Sequence, residues 1–146
     1  MTAKTNAESD SAILAADAKI LVINDSPDFL NFMREFLTLE GGYEVATLDQ
    51  SEGIVEQISS APPDLIILDV VFHQGRSGFE VAEALFASVE TAGVPILFCT
   101  ALADREITEA QRARVAERNQ RIILKPFDVD DLLREVEELL AHAETV

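Results

Sequence analysis

The chain has 146 residues, with 27 acidic against 11 basic side chains and a formal charge of −16. A length near the commonest domain size and 48% apolar residues predict one domain with a filled core and exclude disorder throughout. The negative charge repels phosphate backbones and anionic lipid, so neither nucleic acid nor membrane is expected as the main partner.

Residues 1 to 18 are small and polar apart from Ile13 and Leu14 and read as a flexible arm without the order of a signal peptide. No apolar run reaches the ~18 residues of a spanning helix. The single cysteine, Cys99, lies in an apolar run and is expected to be buried and unreactive, which fits a cytoplasmic protein.

From Lys19 a regular pattern begins. Lys19-Ile-Leu-Val-Ile23 is a buried parallel strand by its continuous apolar character, and it breaks at Asn24-Asp25-Ser26-Pro27. Ser26 suits a helix N-cap and Pro27 a first helical position. Phe29, Leu30, Phe32, Met33, Phe36 and Leu37 then recur at core-facing helical spacing as far as Gly41-Gly42. A short strand over Tyr43 to Thr47 precedes a helix capped by Ser51 and carrying Ile54, Val55 and Ile58. Leu65 to Leu68 is the most apolar strand and ends at Asp69. The helix after Gly78 is expected to bury Val81, Ala82, Leu85, Phe86 and Val89, and the strand Pro95 to Cys99 hands over to Thr100. A polar, marginal helix spans Asp104 to about Glu117, and the strand Arg121 to Leu124 runs into Lys125-Pro126-Phe127. The last helix, capped at Asp128, carries Val129, Leu132, Leu133, Val136, Leu139 and Leu140 on one stripe.

Five strands alternating with five helices predict a doubly wound parallel α/β sheet with right-handed crossovers. Ligands of such sheets sit at the carboxyl ends of the strands. Asn24 and Asp25, Asp69, Thr100 and Lys125 follow four of the strands. Taken singly, each has an ordinary reading as a cap, a turn former or a solvated charge. Together they offer carboxylates for a hard cation and an ammonium and hydroxyl for an anion, a combination that suits phosphoryl chemistry with Asp69 as nucleophile.

These residues resemble the receiver domains of two-component response regulators. The resemblance covers about residues 19 to 141 and rests on Ile20-Leu-Val-Ile-Asn-Asp-Ser-Pro27, Pro63-Asp-Leu-Ile-Ile-Leu-Asp69, Pro95-Ile-Leu-Phe-Cys-Thr-Ala101 and Lys125-Pro126-Phe127. It implies a flavodoxin-like sheet of order 2-1-3-4-5 and a receiver domain over residues 19–142 with a tail at 143–146. It also implies a phosphoryl group passed to an aspartate from a phosphohistidine on a histidine kinase or histidine phosphotransfer protein, with Mg²⁺ as cofactor. Position by position, Asp69 matches the phosphoacceptor, Thr100 the hydroxyl that turns to the phosphoryl group and Lys125 the pairing ammonium. Asp25, Asp69 and the backbone carbonyl of Val71 match the metal ligands, and Asn24 takes part indirectly.

Four features depart from the family pattern. Asn24 replaces an acid, which predicts weakened Mg²⁺ binding. Aliphatic Ile122 replaces the usual aromatic switch residue. The loop from Val70 to Gly78 lacks a proline and is a residue longer than usual. Apolar Val71 and Leu102 stand where a polar side chain would orient attacking water, which predicts slow self-dephosphorylation. His73 reads as an exposed loop histidine, and Glu135, Glu137 and Glu138 as a solvated face.

The chain ends soon after the last helix, so a stand-alone switch or shuttle is expected, signalling by protein contacts. Arg105, Arg112 and Arg114 are candidates on the usual output face, and a homodimer through the fourth-helix to fifth-helix face stays open. A phosphorylation-independent adaptor with the same fold is the alternative. A nucleotide-binding protein is disfavoured by the missing glycine-rich loop after the first strand.

Overall fold

The apolar runs form five parallel strands, and the computed structural model describes residues 18–145. They are β1 (Lys19–Ile23), β2 (Glu44–Leu48), β3 (Leu65–Leu68), β4 (Ile96–Thr100) and β5 (Gln120–Leu124). Their order is β2-β1-β3-β4-β5, the expected doubly wound arrangement. Alternation within each strand divides the core in two. Ile20 and Val22 of β1, with Leu65, Ile67 and Leu97, join Leu30, Met33 and Leu37 of α1 (Pro27–Gly41) and Leu132, Val136 and Leu139 of α5 (Val129–Thr145). Leu21 and Ile23, with Ile66, Leu68, Ile96 and Phe98, pack on the other face against α2 (Ile54–Ile58) and α3 (Gly78–Ala87). The remaining helix, α4 (Glu109–Glu117), has no buried residue.

Helix α1 begins as its sequence dictates. Ser26 Oγ accepts from the Phe29 amide at 3.3 Å, Pro27 occupies the first turn, and Gly42 ends the helix at φ 72. At α5, Asp128 Oδ1 accepts from the Asp130 amide at 2.9 Å, as the capping expectation requires. Cys99 is buried, and burial pushes its thiol up to about 12.

Several expectations differ from the structure. Strands β2 and β4 each lie one residue further along than expected, and Gln120 begins β5. The cap of α2 is Gly53 at φ 70; buried Ser51 instead donates to the Arg76 carbonyl at 2.9 Å, tying two loops together. Helix α3 ends at Ala87, so Val89 lies beyond it and is 92% exposed, while exposed Phe86 lies under the Arg118 guanidinium at 3.8 Å. The expected helix from Asp104 is two elements, a 3₁₀ turn Asp104–Glu106 and α4. Buried Ile107 separates them, and Thr108 with Gln111 forms a capping box that restarts the chain as a helix.

Phe32 is 43% exposed and stacks on Phe36 at 5.9 Å, so that phenylalanine series is only partly core. Glu135 and Glu138 both pair with Arg121 instead of merely facing solvent. Arg112 pairs with Asp104, and Arg114 lies 3.8 Å from Glu83. Ala18 is buried, and its carbonyl accepts from Glu44 N at 3.0 Å, so it belongs to the domain and not to the arm. Residues 1–17, with Ile13 and Leu14, lie outside the described residues. Helix α5 runs through Thr145, past the expected boundary at 142. Among the described residues no helix is long and apolar enough to cross a membrane.

Candidate functional site

The central strands β1 and β3 pair directly, with Ile23 opposite Leu68, so the residues that follow them emerge side by side. Strand β4 flanks β3, and β5 flanks β4, which brings Thr100 and Lys125 to the same edge. Asp69 is at the centre of the cluster. Its Oδ1 accepts from the Val70 amide at 2.7 Å and from the Val71 amide at 3.4 Å, which fixes the carboxylate. Its Oδ2 accepts from Asn24 Nδ2 at 3.0 Å and lies 3.9 Å from Lys125 Nζ. Burial is the largest influence on Asp69 and raises its pKa; Lys125 and the two amides oppose that rise, and the nearby Asp25 charge adds to it.

The Lys125 ammonium has a second neighbour. It lies 4.2 Å from the Phe29 ring centroid, so an aromatic face of α1 holds it over the site. Its helical spacing predicts a core position for Phe29, and its ring packs against the core as well as facing Lys125. The Lys125–Pro126 peptide is cis. Thr100 is fully buried, and its Oγ1 accepts from the Leu102 amide at 3.2 Å, so the hydroxyl is engaged by its own loop.

Asn24 is oriented by its neighbours. The Ser26 amide can only donate, and it meets Asn24 Oδ1 at 2.8 Å, which turns the Asn24 NH₂ toward Asp69. The side chain therefore acts as a donor to the central carboxylate, and its oxygen is already taken.

Asp25 is where the structure adds most. Its Oδ2 accepts from the His73 backbone amide at 3.0 Å and lies 2.6 Å from His73 Nδ1. The backbone hydrogen bond is the main reason its pKa is lowered. His73 is exposed, as expected, yet it is not an idle loop residue. The two partners are 48 positions apart, and no local spacing signals their meeting.

Gly78 positions the site from below. A Cβ there would come within 2.0 Å of the Asp69 carbonyl oxygen, so α3 can begin directly behind Asp69 only with glycine at its first position. The Gly78 amide donates to the Val70 carbonyl at 2.8 Å, and Ser77 with Glu80 forms a capping box. The serine-to-glutamate spacing was a readable signal for that cap. A cleft of about 250 Å³ opens beside Asp25, lined by Asp49, Glu52, Phe72 and His73 among others.

The site suits a hard divalent cation. Two carboxylates against one ammonium leave an excess negative charge, and the charge of Asp25 adds to the burial that disfavours ionisation of Asp69. Among the described residues no three acidic, histidine or cysteine side chains are placed to hold a metal ion together. That sparse oxygen set fits Mg²⁺, which binds through one or two carboxylates and keeps several waters.

The model of the response regulator receiver domain matches residues 20–137. The chain belongs to that family. Receiver domains are generally Mg²⁺-dependent and interact with histidine kinases or phosphotransfer proteins. Protein PilH of Pseudomonas aeruginosa is 27% identical over 124 residues, 85% of this chain and 98% of the relative. Sensor histidine kinase TmoS of Ectopseudomonas mendocina is 28% identical over 123 residues, 84% of this chain but 12% of that much longer protein. Among solved structures, the response regulator TrrA of Thermotoga maritima in complex with Mg²⁺ and BeF shares 29% identity. It covers 84% of this chain and 98% of its own, with a TM-score of 0.69.

Proposed function

We propose that this receiver domain accepts a phosphoryl group on Asp69 from the phosphohistidine of a sensor kinase or phosphotransfer protein and signals through protein contacts. The observation that carries this reading is the set of contacts at Asp69 Oδ2, which faces an amide donor at 3.0 Å and an ammonium at 3.9 Å. An Asp69 oxygen forms the new O–P bond while the P–N bond of the donor breaks, and its electron pair leaves with the imidazole. The chain needs no further acid or base for this step, since a donor ring protonated on its other nitrogen leaves as neutral imidazole.

The protein's part is positioning and electrostatics. The Val70 and Val71 amides hold the carboxylate by Oδ1, and Lys125, steadied on Phe29, offers positive charge to the transferred oxygens. Asn24 stabilises the ionised carboxylate that burial disfavours. Thr100 exchanges its bond to Leu102 for one to a phosphoryl oxygen, which couples the modification to the loop before α4. Asp25, Asp69 and the Val71 carbonyl would hold Mg²⁺, which when bound neutralises charge on the phosphoryl oxygens.

Phosphorus NMR tests the reading. Incubation with Mg²⁺ and acetyl phosphate gives a protein-bound acyl phosphate resonance that hydroxylamine removes and that D69N never shows. Absence of the resonance in the folded wild type, with a phosphohistidine donor as well as with acetyl phosphate, favours the adaptor.

A further inference from the structure

The segment between Val71 and α3 is held at both ends. Half-buried Phe72 packs against the core on the α3 face of the sheet. Four residues on, the Arg76 carbonyl accepts from Ser51 Oγ, which is fully buried. Gly75, at φ +87, lies so close to the same loop that a Cβ would meet Ser51 Oγ and Glu52 Oε2 at 2.7 Å. The loop is therefore a folded strap across the β2–α2 turn.

Between those anchors, His73 turns back to Asp25. Its backbone amide and its ring both meet the same oxygen, Oδ2, at 3.0 and 2.6 Å. Any residue supplies the backbone donor; only the ring supplies the second. The ring is 90% exposed and the Asp25 side chain 22%, so the imidazole covers its carboxylate on the solvent side. A neutral imidazole carrying its proton on Nδ1 can donate this bond, and a charged one donates it more strongly.

We propose that His73 is a built-in competitor for the Asp25 carboxylate, which a divalent cation must displace before it binds. The inference rests on the reading of Asp25 as a cation ligand. Together with Asn24, which presents an NH₂ toward Asp69 instead of a further oxygen, the clasp lowers cation affinity in the resting protein. The strap tunes that affinity from outside the set of ligands, and Ser51 is its positioning residue.

Calorimetric titration with Mg²⁺ alone tests the clasp on the full chain. H73A binds about two- to fivefold more tightly than wild type, the scale of losing one exposed contact to a carboxylate. S51A, which loosens the strap with His73 still present, shifts affinity in the same direction by less. In wild type, long-range ¹H–¹⁵N spectra show the His73 Nδ1 resonance moving as Mg²⁺ is added. Equal or weaker binding by H73A, or a ring resonance that does not move while Mg²⁺ binds, overturns the clasp alone. No Mg²⁺ binding by either folded protein overturns the reading of the site and the clasp with it.

Discussion

Replacing Asn24 with aspartate, N24D, puts a carboxylate oxygen where an NH₂ now donates to Asp69 Oδ2 at 3.0 Å. The Ser26 amide keeps its acceptor, so the new charge is directed at Asp69. Two unit charges ~4 Å apart at an effective dielectric of about 20 repel by roughly 4 kcal/mol. Loss of a hydrogen bond to a charged acceptor adds about 1.5–3 kcal/mol. Lys125, at 3.9 Å from Asp69, offsets part of this, and sharing of a proton between the two acids removes more. A net destabilisation of about 2–4 kcal/mol follows for the metal-free protein once those reductions are applied to the two terms. In a domain of this size that lowers Tm by roughly 6–14 °C. Mg²⁺ reverses the order, because the added charge favours the cation: N24D binds at least about tenfold more tightly, a difference of roughly 1.4 kcal/mol. Calorimetric melting with EDTA and with saturating MgCl₂ measures both effects. Equal Tm values in EDTA together with equal Mg²⁺ affinities would refute the electrostatic account of Asn24.

Three further outcomes are expected. G78A loses roughly 2–3 kcal/mol or more, since backbone must move to admit its Cβ beside the Asp69 carbonyl, and urea denaturation with a wild-type midpoint would contradict this. The Asp25 and Asp69 carboxyl carbons titrate in metal-free protein below and above the ordinary aspartate value of 3.8 respectively, read by ¹³C NMR. By linkage, the stability from Asp25 is present above that value and lost as pH falls through its depressed folded value. Asp69 acts oppositely: its stabilising protonated form is complete below 3.8 and lost as pH rises through its raised folded value. Reversed titration order sinks the assignment. V71N, at an exposed position two residues after Asp69, shortens the phosphorylated lifetime by giving water a polar partner; an unchanged decay rate removes that role.

Much of the site was readable because it hangs on the ends of strands whose apolar runs are unambiguous. Ile20 to Ile23, Leu65 to Leu68 and Ile96 to Cys99 bury every residue, so no register other than a parallel one covered on both faces suits them. Once the order is set, Asp25, Asp69 and Lys125 meet without further information, and Ser26 with Pro27 announced the start of α1. What escaped depends on contacts between distant loops. Ser51 looked like a cap because its own neighbours suit one, and a carbonyl 25 positions away claimed its hydroxyl. Phe29 followed the core spacing of α1, yet its ring serves Lys125. Val89 matched the period of α3, but that helix stops at Ala87 and Thr91 Oγ1 bonds to the Leu85 carbonyl, turning the chain away. The clasp of His73 on Asp25 combines a loop that periodicity does not describe with a partner 48 residues earlier.

The central claim is that Asp69 takes the phosphoryl group. Intact-mass spectrometry after incubation with Mg²⁺ and acetyl phosphate measures it most directly, with peptide mapping to locate the modified residue. The account predicts one phosphoryl adduct on wild type, on Asp69, and none on D69A with the fold intact. An adduct that persists in D69A, or a wild type that stays unmodified while binding Mg²⁺, would contradict it.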